Sequence, residues 1–545
     1  MNKVAHYLQE HLMGEVVVGD DARRFFSTDG SIFQIVPAII AYPRSENDVR
    51  KTARFVWQLA ERKRIIPLTP RGLGSSTAGS AIGGGILMVF PAHLNKIIEL
   101  DSRSGTIVIE PGASIDKLQQ TLHTHGRFLP AIPVDYQNSS IGGAAAINAS
   151  GEKTSKYGTI KNFIKRTRVV LANGEVIETR RLSKKELSKK LGLSTFEGEI
   201  YRAIDTLIEE NHDIIKNFAL DIVKNSAGYD IFSVKRKDKS FDLTPLIAGS
   251  EGTLGIITEL ELETEPYNPK TTIISAKIDD LGIINELIKS IRSFKDTPSV
   301  VDIIGKGLID FIDKANPNLI KDVFTQPYPQ AQLIVEFDSQ SERQRAKSVK
   351  KLKKIFNKFD VDYAVETDEN QKLLVRKVRD LVSTYLGHEK VGKRALPIVN
   401  DAVVPPGQFL PLLQTIYDIC KGYQMTPAVW GQALDAGLSF YPLLDVGQLG
   451  DRQKILRVMD EYYNKVIELG GSISSDAGDG RLKSPYLVKM YGPDIYQIFE
   501  KIKQIFDPFG ILNPGVKLGT STEDIKSLLR DSYSLEQKHN YLPRA

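Results

Sequence analysis

PRGLGSSTAG at 70–79 and SSIGGAAAINASGEKTSKYG at 139–158 each set several glycines beside small hydroxyl residues. Glycine lets backbone N–H groups approach a ligand closely and adopt positive φ without strain. Successive exposed N–H groups also form concave nests for anions such as pyrophosphate. One such loop reads as a plain turn. Two of them, separated by the short β-rich runs GGILMVF, IIEL and GTIVIEPG, predict one large phosphorylated ligand held from both sides.

The flanking sequence frames these loops. IVPAIIAYP reads as a strand, SENDVRKTARFVWQLAERK as a helix with Ser45 as its N-cap, and IIPLTP as a strand running into the first loop. SIDKLQQTLHTHG is an amphipathic helix ahead of the second loop. KRTRVVLANGEVIETR predicts a hairpin turning at Asn173-Gly174. Helices follow within 184–217, and LIAGSEGTLGIITELELETEP at 246–266 supplies a glycine turn and an alternating strand. Beyond Pro269, TTIISAKI, AQLIVEFD and the strand near 398–404 alternate with helices at 280–295, 341–358 and 408–421, which predicts a second, α+β domain. IYQIFEKIKQIFDPFGILNPGVKLG at 495–519 reads as a helix and a proline-bounded turn, and the charged residues from Thr520 as a loosely held tail.

The length of 545 residues implies at least two domains, and 41% apolar with 26% charged residues describes an ordinary globular chain. Its 72 basic and 67 acidic residues are well mixed, with no basic stripe carrying aromatics, which argues against nucleic acid. Cys420 is the only cysteine, so neither an intramolecular disulfide nor an iron–sulfur cluster can be built from this chain. The start, MNKVAHYLQEHLMGEVV, has charges inside its apolar stretch and does not read as a signal peptide. No window approaches the ~20 apolar residues of a spanning helix. The expectation is a cytoplasmic protein, with peripheral contact at the inner face of the membrane left open.

At the level of ordered motifs the chain resembles flavoproteins of the vanillyl-alcohol-oxidase-type fold, with a PCMH-type FAD-binding domain. The resemblance lies with the branch of D-lactate dehydrogenases and the glycolate oxidase flavin subunit. PRGLGSSTAG resembles the first FAD loop, IEPGASIDKL the segment entering the second subdomain, and IPVDYQNSSIGGAAAINASGEKTSKYG the second FAD loop. LIAGSEGTLGIITE and DPFGILNPGVK resemble further flavin-domain segments. The resemblance implies an α+β fold: a two-subdomain FAD-binding domain at 1–267 with a helical lead-in at 1–35, then a cap or substrate domain with an antiparallel sheet at 268–470. A segment returning to the FAD domain at 471–519 and the tail at 520–545 complete it. It also implies the FAD contacts. The first loop offers Arg71, Gly72, Leu73, Gly74, Ser75, Ser76 and Gly79; Pro111 and Gly112 shape the turn below. The second offers Ser140, Gly142, Gly143, Asn148, Ser150, Gly151, Tyr157 and Gly158; Gly249, Glu251, Gly252, Gly255, Ile256 and Asn513 complete the set. Some members tether FAD through a histidine of the first loop. Residues 71–79 contain none, so FAD is expected to be non-covalent. The GxGxxG fingerprint with a downstream ribose-binding acid is absent, which argues against NAD.

The second domain departs from the pattern. D-2-hydroxy-acid dehydrogenases of this branch often hold a divalent metal with two histidines of G-H-x-x-D-G-N-x-H and an acid of E-H-G-D-G-R. The corresponding stretches here are WGQALDAGLSFYP at 430–442 and SSDAGDGRLKSPYL at 474–487. Gln432 and Ser439 stand at the histidine positions, Asp476 at the glutamate and Ala477 at the histidine assigned as base. The eight histidines are at 6, 11, 93, 123, 125, 212, 388 and 539, so 389–538 offers no imidazole. Zinc and manganese sites of this type rely on imidazole with carboxylate, and no metal is expected. In VNDAVVPP, Asn400 replaces an acid while Asp401 and Pro405 match.

Oxidising a 2-hydroxy acid requires a cation for the carboxylate, ideally a bidentate arginine, and a base for the hydroxyl proton. Arg376 and Arg481 stand at family-like positions for the first task, with Lys393 and Arg394 as further candidates. Tyr441, Asp479 and Asp476 are substitute bases. The expected activity is FAD-dependent oxidation of a small 2-hydroxy acid such as D-lactate or glycolate, electrons passing to a quinone, cytochrome or separate electron-transfer protein. The alternatives are an FAD-binding protein that has lost this turnover, or an enzyme acting on a sugar or polyol.

Overall fold

The structure is a computed structural model that describes residues 2–134, 136–321, 323–324, 326–366, 368–390 and 392–532. The chain opens with β1 (Glu15–Val17), β2 (Ile39–Tyr42), β3 (Leu68–Arg71) and β4 (Ile86–Val89), arranged β1-β2-β4-β3. β4 runs parallel to both β2 and β3. β2 and β4 are buried at every position, as expected of central parallel strands covered on both faces. Helix α1 (Glu46–Glu61) makes the crossover, burying Val49, Ala53, Val56 and Ala60 at helical spacing. Ser45 occupies its N-cap, but its hydroxyl makes no capping bond. Asp48 in the first turn instead accepts N–H groups of Met13, Gly14 and Arg44, tying the N-terminal segment down.

A second, antiparallel sheet follows. It contains β5 (Ile97–Asp101), β6 (Thr106–Ile109), β7 (Ile164–Val170), β8 (Val176–Thr179) and β9 (Ile256–Glu263) in the order β5-β6-β9-β7-β8. β7 and β8 are the hairpin predicted at Asn173-Gly174, with Gly174 at φ +83°. Between β6 and β7 lies the short helix α2 (Ile141–Ala146), inside the second glycine loop.

The cap contains β10 (Thr272–Ile278), β11 (Val300–Gly305), β12 (Ala331–Phe337), β13 (Asp362–Glu366), β14 (Val399–Val403), β15 (Val429–Gln432) and β16 (Gly437–Phe440). They form one sheet, β13-β10-β12-β11-β15-β16-β14, antiparallel throughout. Helix α3 (Glu369–Leu386) packs Val375, Val378, Leu381 and Tyr385 against Ile273, Ile304, Ile334 and Trp430 of one sheet face. The opposite face, with Ile274, Val301, Leu333, Leu438 and Phe440, joins the large core.

The C-terminal part returns to the first sheet. After α4 (Leu487–Phe506), the Asn513 N–H donates to Leu68 O of β3 at 2.8 Å. The tail from Thr520 is not loose over its described part. Ser521 and Asp524 form a capping box for α5 (Thr522–Leu528), and Leu528 O accepts the Gln34 N–H. The short charged run reads as solvent-loving, yet a satisfied N-terminus and a buried Ile525 suffice to dock it. Residues 533–545 of the expected tail lie outside the described residues.

Candidate active site

The two glycine loops meet edge to edge. Ser75 Oγ lies 3.2 Å from Ser139 Oγ, and a Cβ at Gly72 would fall 2.1 Å from Ser140 Oγ. Only glycine permits that approach. The Gly142 N–H donates to Pro111 O at 2.8 Å, and Gly112 lies against the Phe90 backbone. Ser140 caps α2, its Oγ accepting the Gly143 N–H. Gly72, Leu73, Gly74, Ser75, Ser76 and Thr77 form a half-buried run between buried Arg71 and Ala78, and Gly143, Ala146 and Ile147 are the half-buried face of α2. These backbones and hydroxyls fit an FAD cradle.

Several residues expected at the cofactor also hold the cradle together. Arg71 donates to Thr28 O and Ala81 O beside Asp29, and burial pushes its guanidinium down to about 10. Gly79 packs on Phe33, and Gly252 on Pro70. Gly255 packs on Val169, next to Ile256 at the start of β9. The Gly249 and Glu251 N–H groups bond α2 at Ala145 and Ala146. Asn148 O accepts from Ser226 Oγ, while Gly151 presses against Ile132 O. Asn513 donates to Ser80 O and Glu251 O and accepts from Thr69 Oγ1, a three-way tie between chain segments far apart in sequence. Tyr157 donates to Asp338 at 3.0 Å, joining the second loop, just before Gly158, to the cap.

The D-G-R segment is likewise structural. Arg481 donates to Pro514 O at 2.6 Å and Ile82 O at 3.0 Å, and its N–H bonds Ala78 O. Burial lowers its guanidinium to about 10. A cavity of about 350 Å³ beside it is lined by Thr69, Gly83, Gly515 and Thr520, with no cap residue, so it is not the substrate basin. Asp479 is fully buried and accepts from Lys517 at 2.7 Å and from the Gly228 N–H. Glu251 accepts the Asp479 and Gly480 N–H groups and completes that cluster, with burial raising its carboxyl. Arg481 and Asp479 are therefore locks between the C-terminal segment and the first loop. Backbone carbonyls bind the Arg481 fork and Lys517 binds Asp479 Oδ2, while Arg481 Nε and Asp479 Oδ1 are buried without a hydrogen-bond partner among the described residues.

Arg376 is exposed on α3. The arginine of this helix that turns inward is Arg379, one turn on. Arg379 pairs with Asp302 of β11 at 2.7 Å and with Glu152 of the second loop at 2.9 Å. Its Nη2 and Asp302 Oδ1 are buried without a hydrogen-bond partner among the described residues. Burial pushes Asp302 up to about 7, against the pull of Arg379. For Arg379 the burial penalty is outweighed by Glu152 and Asp302, and its guanidinium stays charged. Asp302 lies directly opposite Gln432 in the sheet, and Trp430 opposite Ser439, so all four side chains share one sheet face. Tyr441 packs against Trp430 with the rings tilted by 55°, and its hydroxyl is 3.5 Å from Asn400 Nδ2, which also reaches Thr77 of the first loop at 3.0 Å.

Beside Gln432 sits Lys224, from a stretch without regular secondary structure. Its fully buried ammonium is 2.7 Å from Asp476 and 3.3 Å from Asp435. Burial alone would lower it, but the two carboxylates hold it protonated. Ser155 hydrogen-bonds Asp435, and Ser150 hydrogen-bonds Asp476, so the second loop closes on this cluster. Asp401 accepts the N–H groups of Ser475, Asp476 and Ala477 and pairs with Lys483. Among the described residues, no group of three or more His, Cys, Asp or Glu side chains is placed to hold a metal ion. Gln432, Ser439 and the lysine-bound Asp476 do not fit a divalent metal. Among the described residues no helix is long and apolar enough to cross a membrane.

A mixed-sheet and an antiparallel-sheet subdomain carrying facing glycine loops, under an antiparallel cap, define a two-domain flavoprotein fold. The solved structure of p-cresol methylhydroxylase with substrate bound shares it, with a TM-score of 0.69 over 95% of this chain and 96% of that one, at 14% identity. Residues 37–180 match the FAD binding domain family, and residues 292–516 the C-terminal domain family of FAD linked oxidases. The chain belongs to the FAD-linked oxidoreductases with a PCMH-type FAD-binding domain, and its cofactor is FAD. It is 27% identical to D-2-hydroxyglutarate dehydrogenase of Escherichia coli K12 across 94% of this chain and 51% of that protein. It is 26% identical to glycolate oxidase subunit GlcD of Bacillus subtilis 168, across 89% of each. D-lactate dehydrogenase of Anaerostipes hadrus is 27% identical, across 92% of this chain and 94% of that one. The chain spans about half the length of the D-2-hydroxyglutarate dehydrogenases it matches.

Proposed function

We propose that this chain is an FAD-dependent dehydrogenase of a small 2-hydroxy acid, in the range spanned by D-2-hydroxyglutarate, D-lactate and glycolate. The observation that carries the reading is the pair of buried, unpartnered atoms, Arg379 Nη2 and Asp302 Oδ1, between the second flavin loop and the cap sheet. A buried donor and acceptor without partners cost free energy unless a ligand satisfies them. A 2-hydroxy acid does so: its carboxylate accepts from Arg379, and its hydroxyl donates to Asp302. FAD, when bound, supplies the acceptor for the hydride leaving the hydroxyl-bearing carbon. Asp302 Oδ1 takes the hydroxyl proton as the C–O bond becomes a carbonyl, giving a 2-oxo acid and a protonated Asp302 that then releases its proton to solvent. Tyr441 and Asn400 close the side of the basin nearest Thr77. Non-covalent FAD follows from the absence of histidine in 71–79.

Electrons leave to an acceptor outside this chain, a quinone, cytochrome or separate electron-transfer protein; with Cys420 alone the chain ligates no iron–sulfur relay of its own. The setting that suits such an acceptor is the cytoplasm, with contact at the inner face of the membrane. Anaerobic mixing of the holoprotein with D-2-hydroxyglutarate, D-lactate, glycolate and a panel of sugars and polyols tests the reading. One of the hydroxy acids bleaches the flavin band. If only a sugar or polyol bleaches it, or if photoreduction alone does, the substrate class is wrong.

A further inference from the structure

Gln432 and Ser439 stand where the sequence resemblance implies metal-binding histidines, yet the pocket is not left without a cation. Lys224 arrives from a different part of the chain. Its Nζ is 2.7 Å from Asp476 Oδ1 and 3.3 Å from Asp435 Oδ2. Its Cε lies within 4.0 Å of the point where a Cβ on Gly437 would stand, and so does Gln432 Oε1. Gly437 is the cross-strand partner of Gln432. The ammonium is thus set among the substituted positions themselves. We propose that Lys224, clamped between Asp435 and Asp476, is the resident cation of the substrate basin and takes the place of a divalent metal there.

The chemistry is consistent with that placement. An ammonium carries three donors; Asp476 accepts one at 2.7 Å, and Asp435 stands at 3.3 Å as an ion partner for a second. The third is available to an oxygen of the substrate, whose hydroxyl and carboxylate oxygens a metal would otherwise gather. A point charge held by two carboxylates cannot act as a Lewis acid of metal strength, so proton removal rests more heavily on a separate base. That matches Asp302, whose Oδ1 is left without a hydrogen-bond partner while its Oδ2 pairs with Arg379. The clamp is also tightly specified: Ser150 and Ser155 of the second flavin loop hydrogen-bond Asp476 and Asp435, so closure of the cap on the flavin domain sets the ammonium. A lysine fully buried between two acids already occupies the place a metal ion would need, and a divalent cation entering would bring two like-signed centres into contact.

The inference rests on the hydroxy-acid reading for the role of the cation, but its test does not need a substrate. Purified FAD-loaded protein is stripped with EDTA, and its Mn²⁺ and Zn²⁺ uptake is measured by equilibrium dialysis. The same is done for Lys224→Ala. The wild type takes up no stoichiometric metal, whereas Lys224→Ala, with Asp435 and Asp476 released, takes up one equivalent that Asp476→Ala added to it removes. Stoichiometric tight metal in the wild type overturns the proposal, as does a Lys224→Ala protein that folds and binds none. Lys224→Arg, which retains the charge, covers the case in which the alanine variant does not fold, and it too takes up no metal. If a hydroxy acid has been found to bleach the flavin, EDTA leaves the wild-type reduction rate unchanged while Lys224→Ala lowers it at least tenfold. Loss of wild-type reduction on chelation, restored by Mn²⁺ or Zn²⁺, overturns the proposal while leaving the substrate assignment standing.

Discussion

The flavin cradle and the substrate basin of this protein are built from different material. The cradle is backbone: glycines pressed against Ser140 Oγ, Pro111 and Ile132 O, with a capped turn of helix between them. The basin is side chain: Arg379, Asp302, Lys224, Asp435 and Asp476, drawn from a cap helix, a cap strand, an irregular stretch and two later loops. Backbone sites depend on local sequence and tolerate little change at the contact points. Side-chain sites depend on which distant segments the fold brings together, and they can exchange one cation for another while the scaffold stays the same.

This contrast can be broken in four places. The largest effect is expected at Asp302. Asp302→Asn should lower the rate of flavin reduction by ~10²–10⁴-fold, the usual worth of a positioned base, while the flavin spectrum stays native. The accompanying pH dependence has a definite sign. A carboxylate accepts a proton only when ionised, so wild-type reduction should rise with pH through about 7 and level off above it. Because the folded-state value lies above the ordinary carboxylate value, keeping Asp302 ionised costs stability, and that cost grows as pH rises from about 4 towards 7. A rate that is flat across this range would remove Asp302 from the reaction.

Next comes Arg379. Arg379→Met should reduce kcat/KM for the hydroxy acid by ~10²-fold, from charge-assisted hydrogen bonds worth about 1.5–3 kcal/mol. FAD affinity should not change. The cradle is sharpened by Gly480, which lies at φ +53° with a would-be Cβ 2.0 Å from Ala78 O. Gly480→Ala should cost about 2–4 kcal/mol of stability from combined strain and overpacking, read as a lowered Tm and weakened FAD retention. The smallest effect is expected at Arg376, exposed on the same helix as Arg379. Arg376→Met should leave kcat/KM within about twofold, as surface substitutions generally do. A large loss there would mean that the helix turns a different face to the substrate.

The sequence carried the cradle well because its signal is local. Consecutive glycines and hydroxyls at 70–79 and 139–158 need no knowledge of tertiary structure to be read. The hairpin at Asn173-Gly174 and the alternating strand from Ile256 were legible for the same reason. The individual roles within the cradle were not: Arg71, Arg481, Asp479 and Asn513 look like ligand-binding residues in one dimension, yet the first two and Asn513 donate to buried carbonyls and Asp479 pairs with Lys517. Arg379 was readable in principle. At 100° per residue it lies about 40° around α3 from buried Val375, whereas Arg376 lies about 100° away. Asp302 also left a trace, as one acid within the apolar run VVDII at 300–304. Lys224 left none, since its segment has no periodicity and its partners lie more than two hundred residues further along the chain.

The account is tested most directly by anaerobic stopped-flow reduction of EDTA-stripped holoprotein by the hydroxy acid that bleaches it, with wild type run beside Arg379→Met. It predicts full reduction of the wild-type flavin without added metal, and reduction of the variant slowed by ~10²-fold at matched subsaturating acid concentration. Equal rates for the two proteins, or a wild type that stays oxidised until metal is supplied, would contradict it.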